Sequence, residues 1–193
     1  GVMGPDEFHT AYPGADPSTG GGLDNNAYTN VMAAWVLARA LELLELLPDQ
    51  RRRALLELLA IDEAERTRWD RISRGLVVPF HGDGIISQFE GFERLEPFPF
   101  ADYRERYDSI RRLDRILERE GDDPNRYQVS KQADVLMLFY LFSTEELREV
   151  LERLGYVFEP EMIFETIRWY MDRTVHGSTL SWLTHAWVLA RAD

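Results

Sequence analysis

The chain has no cysteine, and that single absence excludes both disulfide frameworks and thiolate metal sites. It also fits a reducing compartment, so a cytoplasmic location is expected. Basic residues are scarce, with 22 Lys and Arg against 34 Asp and Glu, for a net charge of −12. A surface of that sign lacks the basic face that nucleic acids and anionic membranes require, so neither is expected as a partner. An anionic ligand would need a local site strong enough to overcome the global field. Four histidines are present without an H-x-x-x-H pair, so no zinc signature is read and no bound metal is expected. No apolar run reaches the roughly 18 residues of a membrane span. At 193 residues the chain suits one domain with a sizeable core, or a slice of something larger.

What is present is helical patterning, of two kinds. Residues 26–47 carry charge only at Arg39, Glu42 and Glu45, a narrow stripe on an otherwise apolar helix. Residues 133–142 ("ADVLMLFYLF") carry one charge, and residues 180–190 ("LSWLTHAWVLA") carry none. Helices of this kind are expected to be buried on most sides. The second kind is amphipathic. The pattern predicts helices over 62–74, over 103–119 with Tyr107, Ile110, Leu113 and Leu117 on one face, over 144–154, and over 161–172. Only residues 77–89 suit a short hairpin, with Gly82-Asp83-Gly84 at its turn. Buried helices alternating with surface helices imply a double layer, an inner ring wrapped by an outer one. No fixed-period repeat supports a regular solenoid. Three inner helices cannot close a ring, so the expected fold is all-α, part of an (α/α)6 barrel, with residues 1–193 as a single segment of it.

Each of the three most apolar helices follows a polar, glycine-bearing loop: residues 1–25, residues 121–132 ("GDDPNRYQVSKQ") and residues 173–181 ("RTVHGSTLS"). Parallel inner helices would gather these loops at one end, where free N–H groups and positive helix-dipole ends favour anions and polar ligands. In His176 to Ser181, Gly177 permits close backbone approach, and Ser178 and Thr179 offer hydroxyls; the segment suits an anion cradle or plain N-capping. Lys131 stands near a helix N-terminus, where a cation is electrostatically misplaced; it either serves a ligand or pairs with Asp134 or Asp123. In "GPDEFH", Asp6 and Glu7 are adjacent, as a general acid and its partner or as a solvated turn. His81, His185 and the five tryptophans fall within periodic patterns and read as core or interface groups, His185 as a satisfied core histidine.

Four stretches in fixed order, "GPDEFH", "NNAYTN", "KQADVL" and "HGSTLS", together resemble the catalytic domain of glycoside hydrolase family 65, the maltose, trehalose and kojibiose phosphorylases and their relatives. The resemblance covers essentially the whole chain. Family members are several times longer, with an N-terminal β-sandwich and a complete (α/α)6 barrel, so it implies that these residues are one part of a larger enzyme. That part alone would leave apolar inner helices uncovered. The implied activity is inverting phosphorolysis of an α-glucosidic disaccharide to β-glucose 1-phosphate and a released sugar. Glu7 would be the general acid, and Asp6, Lys131 and Gln132 would bind substrate. His176, Gly177, Ser178 and Thr179 would hold phosphate, with Thr179 where relatives often carry Ser. No cofactor is implied beyond phosphate as co-substrate, and the full-length enzyme is expected to be a homodimer.

An inverting hydrolase needs a second carboxylate to activate water, about 6.5–9.5 Å from the acid. A phosphorylase places an anionic nucleophile there instead and needs a cradle rather than a base. No acidic residue lies within "HGSTLS", which favours phosphorolysis. A hydrolase of the same family, of the α-glucosidase or trehalase type, and a non-catalytic toroid module remain the alternatives. The glycine-rich stretch between "DEFH" and "NNAYTN" is longer than in typical relatives, so the acceptor sugar is not specified.

Overall fold

The computed structural model describes residues 22–82, 84–177 and 179–192. Among these, nine α-helices and one two-residue hairpin make an all-α arrangement. Helix α1 (Ala27–Leu46) begins where the Asn26 Oδ1 accepts the N–H of Thr29 at 2.9 Å, a side-chain cap on an orphan donor. It runs into α2 (Asp49–Leu58) and α3 (Glu63–Gly75), the latter capped by Asp62 through the N–H of Glu65 at 2.7 Å. Strands β1 (Phe80–His81) and β2 (Ile85–Ile86) form the expected antiparallel hairpin.

Helices α4 (Phe100–Arg106) and α5 (Leu113–Glu120) follow, then α6 (Leu136–Leu141), α7 (Thr144–Arg153), α8 (Pro160–Met171) and α9 (Thr179–Ala192). A reciprocal capping box of Ser143 and Glu146, both contacts at 3.1 Å, opens α7. Helix α1 packs along α3 and touches α7, while α6 touches α7, α8 and α9. Helices α1, α6 and α9 thus form one layer and α3, α7 and α8 back it, the alternation of a segment of an α/α barrel. The main core joins Val31 and Ala34 of α1, Leu136 and Leu138 of α6, Leu147 and Leu151 of α7, and Tyr170 of α8. No helix among the described residues is long and apolar enough to cross a membrane.

Two expectations change. The single helix over 103–119 is two, because the chain turns between Tyr107 and Arg112. The turn lets the hydroxyls of Tyr103 and Tyr107 donate to the Glu120 carboxylate at 2.5 and 2.6 Å, over a small separate core of Phe98, Leu113, Leu117 and Tyr127. The apolar stretch 133–142 is helical only from Leu136, since its first residues pack as loop. As expected of one part of a barrel, α1 and α9 keep uncovered apolar faces. Val36 and Leu46 of α1, and Trp182, Leu183 and Trp187 of α9, are exposed.

Candidate active site

The second and third polar loops meet backbone to backbone. Ser130 N–H donates to the Arg173 carbonyl at 2.8 Å, Val175 N–H to the Ser130 carbonyl at 2.9 Å, and Gly177 N–H to the Lys131 carbonyl at 3.1 Å. The end of the first loop joins them through a buried turn. Ala27 N–H donates to the Gln88 carbonyl at 3.0 Å, and the Ser130 hydroxyl donates to Gln88 Oε1 at 3.2 Å. Asn26 Nδ2 donates to Asp134 Oδ2 at 2.8 Å, across 108 residues of sequence. Both partners are 1% exposed, so one Asn side chain caps α1 with its oxygen and holds a buried carboxylate with its nitrogen. The segments leading into α1, α6 and α9 therefore converge at one end of the layer.

Lys131 and Gly177 touch. A Cβ built on Gly177 would stand 2.7 Å from Lys131 Cγ, closer than real Cβ atoms come, and 3.2 Å from the Arg111 carbonyl oxygen, so a larger residue here would force the Lys131 side chain to shift. Beside it, His176 takes the left-handed conformation at φ 50°, uncommon outside glycine. Its Nδ1 lies 3.0 Å from the Ser181 Oγ. Its ring stacks on Trp182 at 4.4 Å and meets the edge of His185 at 4.6 Å. Burial above all, then the neighbouring His185 and the Arg111 cation, pushes the His176 imidazole down to about 4, so it is neutral at pH 7. The Asp123 carboxylate accepts from Asn125 Nδ2 at 2.7 Å, and the Asp134 carboxylate from Asn26 Nδ2 at 2.8 Å.

A cavity of about 130 Å³ opens between α1, the 132–134 loop, α6 and α9, with Tyr28, Gln132, Asp134, Ser181, Thr184 and His185 on its wall. Among the described residues no group of three His, Asp or Glu is placed to hold a metal.

Of the residues singled out from sequence, Lys131, Gln132, His176 and Gly177 are brought into one region, and Thr179 stands exposed at the first position of α9. Asp6, Glu7 and Ser178 lie outside the described residues. Asn26, Gln88, Asp134 and His185 were not singled out as site residues. Asn26 and Asp134 stand inside "NNAYTN" and "KQADVL", so the motifs carried a signal that residue-by-residue reading did not use.

The model of the glycosyl hydrolase family 65 central catalytic domain matches residues 1–193. The chain belongs to family 65. It is 58% identical over 193 residues to a Mycobacterium tuberculosis protein called an uncharacterized glycosyl hydrolase, covering all of this chain and 14% of that protein. It is 38% identical over 184 residues to the trehalose 6-phosphate phosphorylase of Lactococcus lactis, covering 94% of this chain and 22% of that enzyme. A kojibiose phosphorylase of Halothermothrix orenii is 31% identical over 189 residues, with 21% of its length covered. A solved human-microbiome protein described as a candidate kojibiose phosphorylase superposes with a TM-score of 0.72 at 22% identity, over all of this chain and 23% of its own, a likeness of fold. The chain thus spans between about a seventh and a quarter of the family 65 proteins it matches.

Proposed function

We propose that this segment supplies one side of the active site of a disaccharide phosphorylase, which inverts the anomeric carbon of an α-glucoside as phosphate displaces the leaving sugar. The observation that carries the reading is the junction itself: Lys131 packed against Gly177, with Gln132 and His176 beside them. On this reading Lys131 and Gln132 hold the glucosyl unit together with Asp6. Phosphate lies against His176, Gly177, Ser178 and Thr179 at the start of α9. Free N–H groups and the helix dipole there favour an anion in a protein of net charge −12. A neutral His176 donates or accepts a hydrogen bond without adding charge.

Glu7 protonates the glycosidic oxygen as the C–O bond breaks, and a phosphate oxygen forms the new bond from the opposite face. Phosphate is already a nucleophile, so no second carboxylate is needed to deprotonate water. Relatives named as trehalose 6-phosphate, kojibiose, nigerose and glucosylglycerol phosphorylases support this reading. The test is to incubate the full-length protein with trehalose 6-phosphate, trehalose, kojibiose and maltose, with and without phosphate. Phosphate-dependent formation of β-glucose 1-phosphate is expected. Release of glucose without phosphate would mean a hydrolase. A Glu7→Gln variant with full activity would remove Glu7 from the chemistry.

A further inference from the structure

Ser130 stands immediately before Lys131 and is fully buried. It is held from two sides. Its hydroxyl donates to Gln88 Oε1 at 3.2 Å, and its N–H donates to the Arg173 carbonyl at 2.8 Å. Both holds lead back to Tyr170, in the last turn of α8. At its hydroxyl end, Tyr170 donates to the Ile86 carbonyl at 3.0 Å. Thr166, one turn earlier on α8, accepts the Ile86 N–H at 3.2 Å. Ile86 is thereby fixed at both of its backbone groups, two residues before Gln88. At the other end, the Tyr170 carbonyl accepts the Arg173 N–H at 3.0 Å and the Thr174 hydroxyl at 2.8 Å. Those bonds set the turn that presents the Arg173 carbonyl to Ser130. One residue thus reaches Ser130 by two routes.

The Tyr170 ring is fully buried and stacks on Phe92 at 5.9 Å, a role that a phenylalanine would fill as well. What the hydroxyl adds is direction. Apolar burial favours no particular alignment, whereas a hydrogen bond fixes length and angle. Burial above all, then the charge of Asp134, pushes the Tyr170 phenol well above its ordinary value, so the hydroxyl keeps its proton and remains a donor. A shift at Ser130 is passed on directly, because the next carbonyl, that of Lys131, accepts the Gly177 N–H at 3.1 Å, and the Lys131 stem packs on Gly177. We propose that Tyr170 is a positioning residue of the sugar site, which sets where the Lys131 side chain stands by holding Ser130 along both routes. Being fully buried, it acts through Ser130 and Lys131 and not on substrate. This inference rests on reading Lys131 as a sugar-binding residue.

The test uses the full-length protein. Tyr170→Phe keeps the ring and removes the hydroxyl. The expected result is a rise of about fivefold in KM for the disaccharide, the worth of one hydrogen bond, with kcat within about twofold. A purely structural role would instead lower the folded fraction, which reduces apparent kcat and leaves KM alone. In a Lys131→Met background the same change should move KM by less than about twofold, because the group being positioned is gone. Should Tyr170→Phe fail to fold, Ser130→Ala cuts the hydroxyl route at its far end and is held to the same expectations. Should Lys131→Met show no turnover, Tyr170→Phe and Ser130→Ala are combined. Together they should raise KM no further than the larger single change, and rises that multiply overturn the proposal. An unchanged disaccharide KM in folded Tyr170→Phe, or an equal rise with and without Lys131, also overturns it. If the wild type releases glucose without phosphate, the phosphorolysis reading fails separately and the same comparison is made on hydrolysis. If it turns over no disaccharide, glucose binding by calorimetry decides. Weaker binding in Tyr170→Phe then upholds the role of Tyr170, and equal binding, or none to the wild type, overturns it.

Discussion

At the junction where α1, α6 and α9 begin, Asn26 meets Asp134 with both residues 1% exposed, and Ser130 and Gln88 beside them are fully buried. At the seam between α3 and α7, Arg153 also ties distant segments together. It reaches Asp70 at 2.6 Å and the Ser73 hydroxyl at 2.9 Å, with side-chain exposures of 21% for Arg153 and 46% for Asp70. The contacts look alike as a record of distances, yet water decides their worth. The seam pair can exchange protein for solvent at little cost, whereas a junction partner left alone stays dry and unsatisfied. Burying this much polarity at one end of an otherwise apolar layer is not how stability is maximised. It fixes where side chains stand, which a ligand site requires.

Breaking the junction should therefore have the largest effect. Asn26→Ala removes the α1 cap and strands the Asp134 carboxylate, and it should destabilise the full-length protein by about 3 kcal/mol, read as a fall in Tm or in the denaturation midpoint. Catalytic efficiency should fall with it, because Asp134 faces the cavity. A smaller effect is expected from acid. His176 is held from its ordinary 6.5 down to about 4 in the fold, so between those values the unfolded chain binds a proton that the native chain refuses. Stability should fall as pH drops through that window and level off below it, with His81 and His185 acting in the same direction. Asn tolerates the left-handed backbone, so His176→Asn should flatten the slope of Tm against pH without breaking the loop. An unchanged slope in that variant would place the pH dependence elsewhere. The smallest effect belongs to the seam: Arg153→Gln should cost less than about 1 kcal/mol and leave turnover unchanged.

The same contrast explains what could be read from sequence. Apolar stretches with few charges located α1, α6 and α9, and the loops before them located the junction, because periodicity and composition report which face is buried. The α1 cap went unread, although Asn26 before an apolar run has a local partner at Thr29. The charged run of α2 gave no apolar stripe, and the turn at Tyr107–Arg112 depends on Glu120, which lies beyond any local pattern. Within the site, Lys131 and Gly177 could be named as candidates, but not their mutual contact across 46 residues. Asp134 was weighed only as a partner of Lys131, and its contact with Asn26 went unread. Its partner Asn26 is 108 residues away. His185 was half right: the pattern predicts burial, but only Nδ1 finds a partner, donating to the Ser181 carbonyl, while Nε2 finds none among the described residues.

The central claim is that loops 121–132 and 173–177 form one site through the approach of Lys131 to Gly177. A double-variant cycle in the full-length protein tests it most directly. A methyl group at position 177 would displace the Lys131 side chain, so Gly177→Ala should lower kcat/KM about tenfold in the wild-type background. In a Lys131→Met background the same change should cost little, because the group it displaces is already gone. If the two losses instead multiply as independent events, Lys131 and Gly177 do not act at a common site, and the account is contradicted.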